Sequence, residues 1–473
     1  IEQFTGIAHA LNRSLYEGGF NNKVYSEGDS TDGLNQWQKN EIETAGHTYY
    51  FFKNTFNYLS YDNADAEMIT IHNDPNINCP NANWNGVSAN YCDEMASDDV
   101  VAHEWGHAYT EYTCGLVYAY QSGALSESLS DIWGETIDLF NAYQDELENI
   151  NVRNSCNSSD RWMIGEDVGS IGIPVPLRDM WKPTCFGSPG KVTDDLYFCD
   201  PNFQDNGGVH YNSGIPNHAY ALMVDGGSYN GQIISGIGFV KSAHIIWRAQ
   251  SQYLTATSSF KDFADAVEAA CNDLIGINLE GLSTTETPAG LSGQSITVDD
   301  YNQVVKALIA VELREDINCV YQTVLQPIDR LCDAAFDNAI YYQDWENGIP
   351  NGWQISNIPG NPITWVTRDW KLETILPKQR PGQALFAPTP KIGDCNTDQQ
   401  NGILRLESPT ITMPNYTTGD FELAFLHSIS TEYEYDGGNL KYSLNGEPWT
   451  AIPSYAYSEN GYNSMLTTEN SNN

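Results

Sequence analysis

His103, Glu104 and His107, in the run Asp99-Val-Val-Ala-His103-Glu104-Trp-Gly-His107, are side chains that together could activate a water molecule. On a helix, positions four apart share a face, so both imidazoles can meet one Zn²⁺ while Glu104 reaches a water on the metal. An ordinary helix with two partly exposed histidines would show the same pattern. The next helical stretch, Gly123-Ala-Leu-Ser-Glu127-Ser-Leu-Ser-Asp131-Ile-Trp-Gly-Glu135-Thr-Ile-Asp138, carries more than such a helix needs. Glu127, Asp131, Glu135 and Asp138 fall on one face of a helix otherwise rich in Leu, Ile and Trp. Burying like charges together is costly unless cations or donors meet them, and a solvated acidic face is the alternative.

The HEWGH run, followed by GALSESLSD, resembles the thermolysin family of gluzincin metallopeptidases. In that family the glutamate of the second motif is the third zinc ligand, 24 residues after the first histidine, and Glu127 stands at that spacing from His103. The resemblance implies a ligand set of His103, His107, Glu127 and one water, with Glu104 as general base and Asp131 orienting His103 through its other ring nitrogen. Asp205-Asn-Gly-Gly-Val-His210-Tyr-Asn-Ser-Gly214 is similar to the family segment that supplies a transition-state histidine. His210 takes that role, with Asp205 holding its tautomer, and Tyr118 corresponds to the tyrosine that helps bind the oxyanion. Asn81-Ala82-Asn83-Trp84 resembles the substrate-binding edge, with Asn83 where an aromatic residue is usual. Leu177-Arg178 resembles the pair at the pocket for the residue after the scissile bond. Calcium ligands map onto Asp99, Asp138, Asp160 and Glu166, with the backbone carbonyl of Met163, and Asp167 is a candidate for a second ion.

The resemblance spans about residues 40–315 and implies a zinc endopeptidase acting on protein and peptide substrates, preferring a bulky apolar residue after the scissile bond. The loop from Asn81 to His103 is shorter than is usual in the family, and Cys79 and Cys92 are placed to tie it.

The elements that must position these residues follow from periodicity. Apolar spacing predicts a helix over Glu41 to Leu59 and a strand over Met68 to His72. Further helices are predicted over Asp98–Tyr112, Gly123–Phe140, Gly214–Asp225, Ile237–Leu254, Ser259–Leu274 and Val298–Leu313. After Asn318 the character changes to alternating runs, Ile403–Leu406, Phe421–Leu426 and Leu440–Leu444, punctuated by Asp436-Gly-Gly and Asn445-Gly. The segment from Asp436 to Gly446 resembles jelly-roll modules appended to secreted bacterial proteases.

The expected architecture is multidomain: an α+β thermolysin-like catalytic region with a mainly α C-terminal lobe, then an all-β jelly-roll-like sandwich. Its divisions are an N-terminal remnant (1–35), the N-terminal catalytic lobe (36–140), the helical lobe (141–316), a linker (317–335) and the sandwich (336–473). The sandwich offers contact with carbohydrate or a cell surface. Trp345, Trp353 and Trp449 fit a sugar platform or, more simply, turn and core packing.

Over 473 residues, 22 Lys and Arg stand against 62 Asp and Glu, a formal net charge of −40 that repels nucleic acid phosphates and anionic lipid. Ten cysteines without a CxxC pair suit disulfides and an oxidising compartment. No apolar run reaches the ~18 residues of a membrane span, and with Ile1 rather than Met first, the chain is expected to be exported, processed and extracellular. Two other readings stay open: an inactive peptidase-like adhesin or carbohydrate-binding protein, and a different zinc hydrolase.

Overall fold

The structure is a computed structural model that describes residues 11–141, 149–169, 172, 175–200, 202–317, 319, 339–360, 365–374, 382–388, 402–414, 421–427, 437–458 and 461–462. The chain forms two compact units, the first chiefly of residues 1–324 and the second chiefly of 325–473.

The first unit opens with a five-stranded sheet. Its strands are β1 (Arg13–Glu17), β2 (Lys23–Ser26), β3 (Met68–His72), β4 (Ala82–Trp84) and β5 (Ala89–Tyr91), in the order β2-β1-β3-β5-β4. β1 runs parallel to β3, so the chain between them must cross over, and helix α1 (Gln36–Phe56) provides that crossover. α1 starts five residues before the predicted Glu41 because Asn35 and Gln38 form a reciprocal capping box. It stops short of the predicted Leu59 because Asn57 turns left-handed (φ 54°) and caps the end. Among the described residues β4 pairs only with β5, antiparallel, and is an edge of the sheet.

Helices α2 (Asp98–Tyr112) and α3 (Tyr120–Asn141) lie antiparallel in close contact. Two glycines permit the approach: a Cβ on Gly106 would sit 2.9 Å from Ser130 Cα, and one on Gly134 2.6 Å from the Asp99 carbonyl. Their contact brings residues 99–107 opposite 127–134, which places the two motifs face to face. Behind them, Phe52 of α1 stacks on Tyr109 (3.7 Å between centroids) and packs edge-on against Trp133 (5.3 Å). Each such fully buried aromatic side chain contributes on the order of 2 kcal/mol of burial energy.

After the short pair β6 (Met163–Ile164) and β7 (Arg178–Asp179), the rest of the unit is mainly helical, with α4 (Asp205–Asn212), α5 (Gly214–Asp225), α6 (Phe239–Gln252), α7 (Phe260–Asp273) and α8 (Val298–Ala310). Ser259 with Asp262 and Thr297 with Asp300 cap α7 and α8 as capping boxes. Disulfides join Cys79 to Cys92, Cys156 to Cys185 and Cys199 to Cys319. Cys185 and Cys199, near neighbours in sequence, thus take separate, distant partners. No helix of the described residues is long and apolar enough to cross a membrane.

Inside this unit His218 is a buried imidazole whose Nδ1 lies 3.0 Å from the Gly190 carbonyl, and burial pushes its pKa from 6.5 down to about 4. The folded value lies below the unfolded one, so the neutral ring belongs to the folded state. Its stabilisation is full above pH ~6.5, drains away as pH falls towards 4, and amounts to about 3 kcal/mol. His218→Asn keeps a donor for Gly190 and removes the titration. Melting curves between pH 7 and 4 should therefore fall more steeply for the native chain than for the variant, and parallel curves would refute the assignment.

In the second unit the described residues do not assemble the expected sandwich. Among the described residues its strands form two-stranded antiparallel pairs: Gln354–Pro359 with Gly402–Glu407, Lys371–Glu373 with Ala384–Phe386, and Lys441–Tyr442 with Thr450–Ala451. The alternating run at Phe421–Leu426 is not a strand, and its side chains stay exposed (Leu423 66%, Leu426 69%). Alternation marks a run fit to be half-buried, but a sandwich also needs a second sheet to cover it, which alternation does not encode. Trp345 packs at a tilt of 67° on Trp353, whose Nε1 donates to Tyr341 Oη, so these two rings pack as a turn cluster and not as one flat platform. Trp449 is exposed.

Candidate metal centre and catalytic cleft

The facing helices α2 and α3 aim three donor atoms at one point. His103 Nε2 and His107 Nε2 lie 3.1 Å apart, His107 Nε2 is 3.2 Å from Glu127 Oε1, and His103 Nε2 is 3.6 Å from Glu127 Oε2. A tetrahedral ion with bonds of about 2.0–2.1 Å holds its ligands about 3.3 Å apart. All three side chains are largely buried, and Glu127 Oε2 has no hydrogen-bond donor. Each imidazole turns its other nitrogen to an oxygen: His103 Nδ1 lies 2.8 Å from Asp131 Oδ1, and His107 Nδ1 lies 3.2 Å from Ser126 Oγ. This leaves the lone pairs of both Nε2 atoms pointing at each other and at a carboxylate, an arrangement that a dication resolves.

The charges around this point are organised. Asp131 accepts two hydrogen bonds from Arg178 (2.8 and 2.6 Å) and one from Asn217 Nδ2 (2.7 Å). Burial would raise the Asp131 carboxyl, but Arg178 and His103 outweigh it and hold it down at about 2. Burial would likewise raise Glu127, and the imidazoles of His210, His107 and His103 hold it well below the usual range. Glu104, buried beside the histidines, goes the other way: burial pushes its carboxyl above the ordinary value, with the imidazoles only partly offsetting it. A carboxylate easy to protonate is what a proton carrier needs.

Tyr118 and His210 close the group from the solvent side. The Tyr118 hydroxyl donates to Glu127 and lies 3.2 Å from His210 Nε2. The His210 ring is 49% exposed and the Tyr118 residue 40%, so this side of the group opens to solvent and a substrate can reach it. Asp205 grips His210 twice, at Nδ1 (2.5 Å) and at the backbone NH (3.0 Å). With Glu127 it raises the imidazole to about 9 against the opposing pull of burial. The turn that delivers His210 is now the start of α4, with Asp205, Asn206, Gly207 and Gly208 all left-handed (φ 50°, 46°, 86° and 87°).

The residues expected at the substrate edge fall on the same unit. Ala82 and Trp84 lie in the edge strand β4, preceded by Asn81, and Trp84 Nε1 donates to Glu111 Oε2 (2.6 Å). Asn83 is held from the neighbouring strand by Asn90 Nδ2 (2.9 Å to its Oδ1). Leu177 fills the space left by Gly165, where a Cβ would stand 2.7 Å from Leu177 Cγ.

The expected calcium ligands are brought together only in part. Asp138 and Glu166 converge with Glu135, their oxygens within 4.8 Å of one another. Asp99 has its oxygens engaged by Ser97 Oγ (2.6 Å) and the Gly165 NH, Asp160 accepts from Asn149 N (3.2 Å), and Met163 is paired with Asp179 in β6–β7. The group that converges among the described residues therefore contains Glu135 beside the expected Asp138 and Glu166. Glu135 is fully buried, accepts the Trp162 NH at Oε1, and leaves Oε2 without a donor. Three close carboxylates with a buried, unsatisfied oxygen are a hard-oxygen donor set that suits Ca²⁺. Its signal in the sequence was the acidic stripe itself, one turn of which the resemblance leaves unused. Ser126 and Asn217 were also missed. Ser126 sits in the second motif beside Glu127, where helical geometry could have found it; Asn217, on another helix, gave no local signal.

Comparison with known proteins accords with this geometry. Residues 13–111 match the family described as thermolysin metallopeptidase, catalytic domain, and residues 114–287 its alpha-helical domain. Among curated relatives, a bacillolysin of Brevibacillus brevis is 36% identical over 262 residues, 52% of this chain and 45% of that protein. A thermolysin of Alicyclobacillus acidocaldarius subsp. acidocaldarius is 38% identical over 242 residues, 49% of this chain and 40% of that protein. A zinc metalloproteinase of Renibacterium salmoninarum is 38% identical over 209 residues, 43% of this chain and 35% of that protein. The matched part of the chain thus spans less than half the length of these relatives. Because the two adjoining family matches together run through most of the first unit and include every residue of the metal group, this chain belongs to the thermolysin family of metallopeptidases.

Proposed function

We propose that the chain is a secreted zinc endopeptidase whose catalytic residues are Glu104, Tyr118 and His210, with His103, His107 and Glu127 as zinc ligands. The observation that carries this is the convergence of those three ligands with Glu104 behind them and Tyr118 and His210 in front. Zinc, when bound there, polarises the scissile carbonyl and makes a water acidic, with a pKa of about 7. Its burial-raised basicity lets Glu104 take the proton from the attacking water, and the more basic leaving amine then accepts that proton from it. Tyr118 Oη and His210 Nε2 donate to the oxyanion of the tetrahedral carbon, and Asp205 keeps the donating nitrogen of His210 turned outward. Arg178 and Asn217 hold Asp131, which in turn orients His103.

A peptide in this cleft lies along the edge strand β4 past Asn81, Ala82 and Trp84, with Leu177 and Arg178 beside the residue after the scissile bond. A bulky apolar side chain there is the expected preference. Ca²⁺ is proposed at Glu135, Asp138 and Glu166. The three disulfides among the described residues support an oxidising, extracellular setting.

Cleavage of casein and of a quenched peptide library, with and without phenanthroline, tests the reading when zinc is counted by mass spectrometry. Chelator-sensitive cleavage at one zinc per chain is expected, and a zinc-loaded chain that cleaves nothing would overturn it. Ser126→Ala is expected to weaken zinc binding about 10- to 100-fold in chelator competition, since His107 loses the partner of its other nitrogen. Undiminished affinity would show that Ser126 does not orient His107.

A further inference from the structure

His210 is delivered by four consecutive left-handed residues, two of them, Asp205 and Asn206, not glycine. Such a turn is uphill and persists only where its surroundings hold it. What holds it is visible on its inner side. Gly208 rests on the ring of Phe198, where a Cβ would stand 2.6 Å from Phe198 Cδ1. The Phe198 backbone is locked to the other end of α4, its NH donating to Asn212 Oδ1 (2.9 Å) and its carbonyl accepting from Asn212 Nδ2 (3.0 Å). Its ring lies nearly parallel to Tyr211, 8° between planes at 5.0 Å. Phe198 thus touches the helix at both sides of His210.

The segment that carries Phe198 has no helix or strand of its own from residue 187 to 200. It is fastened instead to the end of α8. Val192 N donates to the Val311 carbonyl (3.1 Å), Lys191 pairs with Glu312 (2.8 Å), and Cys199, next to Phe198, is joined to Cys319. The bond closes a separation of 120 residues, and it lies one residue from the ring beneath the turn. The first two ties hold the near end of the segment, and the disulfide holds the end that matters for His210.

Resting on the endopeptidase reading, we infer that Phe198, pinned by the Cys199–Cys319 disulfide, is a positioning residue that holds His210 at its donor distance in the cleft. Without the bond, Phe198 keeps its ties to Asn212 but loses its anchor to the rest of the unit, so its hold on Gly208 loosens, the left-handed turn relaxes, and His210 Nε2 drifts from its place beside Tyr118. The zinc ligands lie on α2 and α3, whose packing against each other does not involve Phe198 and keeps them in place.

The test compares the full chain with Cys199→Ser/Cys319→Ser, Phe198→Ala and Phe198→Tyr, each alone and in a His210→Ala background. Expected is a kcat loss of about ten- to a hundredfold for the serine pair and for Phe198→Ala, with KM within about twofold, zinc at one per chain, and rescue by Phe198→Tyr. In the His210→Ala background the same changes should leave kcat where it is, an outcome that a general loosening of the fold would not produce. Should the serine pair fail to fold, Phe198→Ala alone decides. Amide hydrogen exchange over residues 205–212 needs no turnover and is expected to quicken in both variants. Unchanged exchange, or an equal kcat loss with His210 already removed, overturns the inference. A native chain that cleaves nothing would instead count against the endopeptidase reading and leave the exchange measurement to judge Phe198.

Discussion

Glu104→Gln is expected to bind one zinc per chain and to hydrolyse peptides about a thousandfold more slowly than the native chain, with KM little changed. The amide keeps the shape of the carboxylate and cannot accept a proton. None of the three zinc ligands is altered, so metal content separates this loss from a loss of zinc. A second consequence follows from the environment. Burial pushes the Glu104 carboxyl upward, which means that its charge is costly in the folded chain. Replacing it by a neutral isostere should leave the melting temperature unchanged or raise it, the usual sign of a group kept for chemistry at the expense of stability. A Gln variant that retains activity would remove Glu104 from the mechanism; one that loses both zinc and activity would make it a structural support of the site.

The second large effect concerns the carboxylates at the far end of α3. Glu135, Asp138 and Glu166 bring their oxygens within 4.8 Å of one another, and Glu135 is fully buried. At such a distance each like-charged pair costs about 3–4 kcal/mol at an effective dielectric of 20. A Ca²⁺ ion at a thousand times its dissociation constant contributes about 4 kcal/mol to the folded state. For a unit of this size that is about 6 °C in melting temperature. Chelation of calcium, with zinc kept saturated, is expected to lower the melting temperature by this amount. Glu135→Gln should shrink the shift, because it removes one ligand and one of the repelling charges together. If the melting curve ignores calcium at constant zinc, the group holds no such ion. If Asp99→Asn, rather than Glu135→Gln, abolishes the shift, the ligand assignment passes back to Asp99.

Much of this site could be read along the chain because its key residues are local. His103, Glu104 and His107 share one helical turn, and a period of 3.6 is enough to put two imidazoles on one face. The acidic stripe of α3 was legible for the same reason, down to the buried Glu135, whose place in the converging carboxylates was not. Three capping boxes and the left-handed Asn57 explain where helices begin and end more finely than apolar periodicity does. Beyond local range the reading was thinner. Ser126 and Asn217 act through contacts between helices, and the segment from 187 to 200, which shows no periodicity, turns out to support His210 through Phe198.

By itself, then, the sequence determined the helices other than α4, the chemistry of their faces and the metal that chemistry suits, because helical period and donor type are properties of neighbours in the chain. Only the tertiary structure decided which carboxylates meet, how Asp131 is shared among His103, Arg178 and Asn217, and which cysteines pair. Those outcomes depend on two glycines that let α2 and α3 touch, and on contacts closed over more than a hundred residues. The same distinction accounts for the second unit, where alternating residues were legible and the sheet to cover them was not, since a strand's partner is chosen by packing and not by its own pattern.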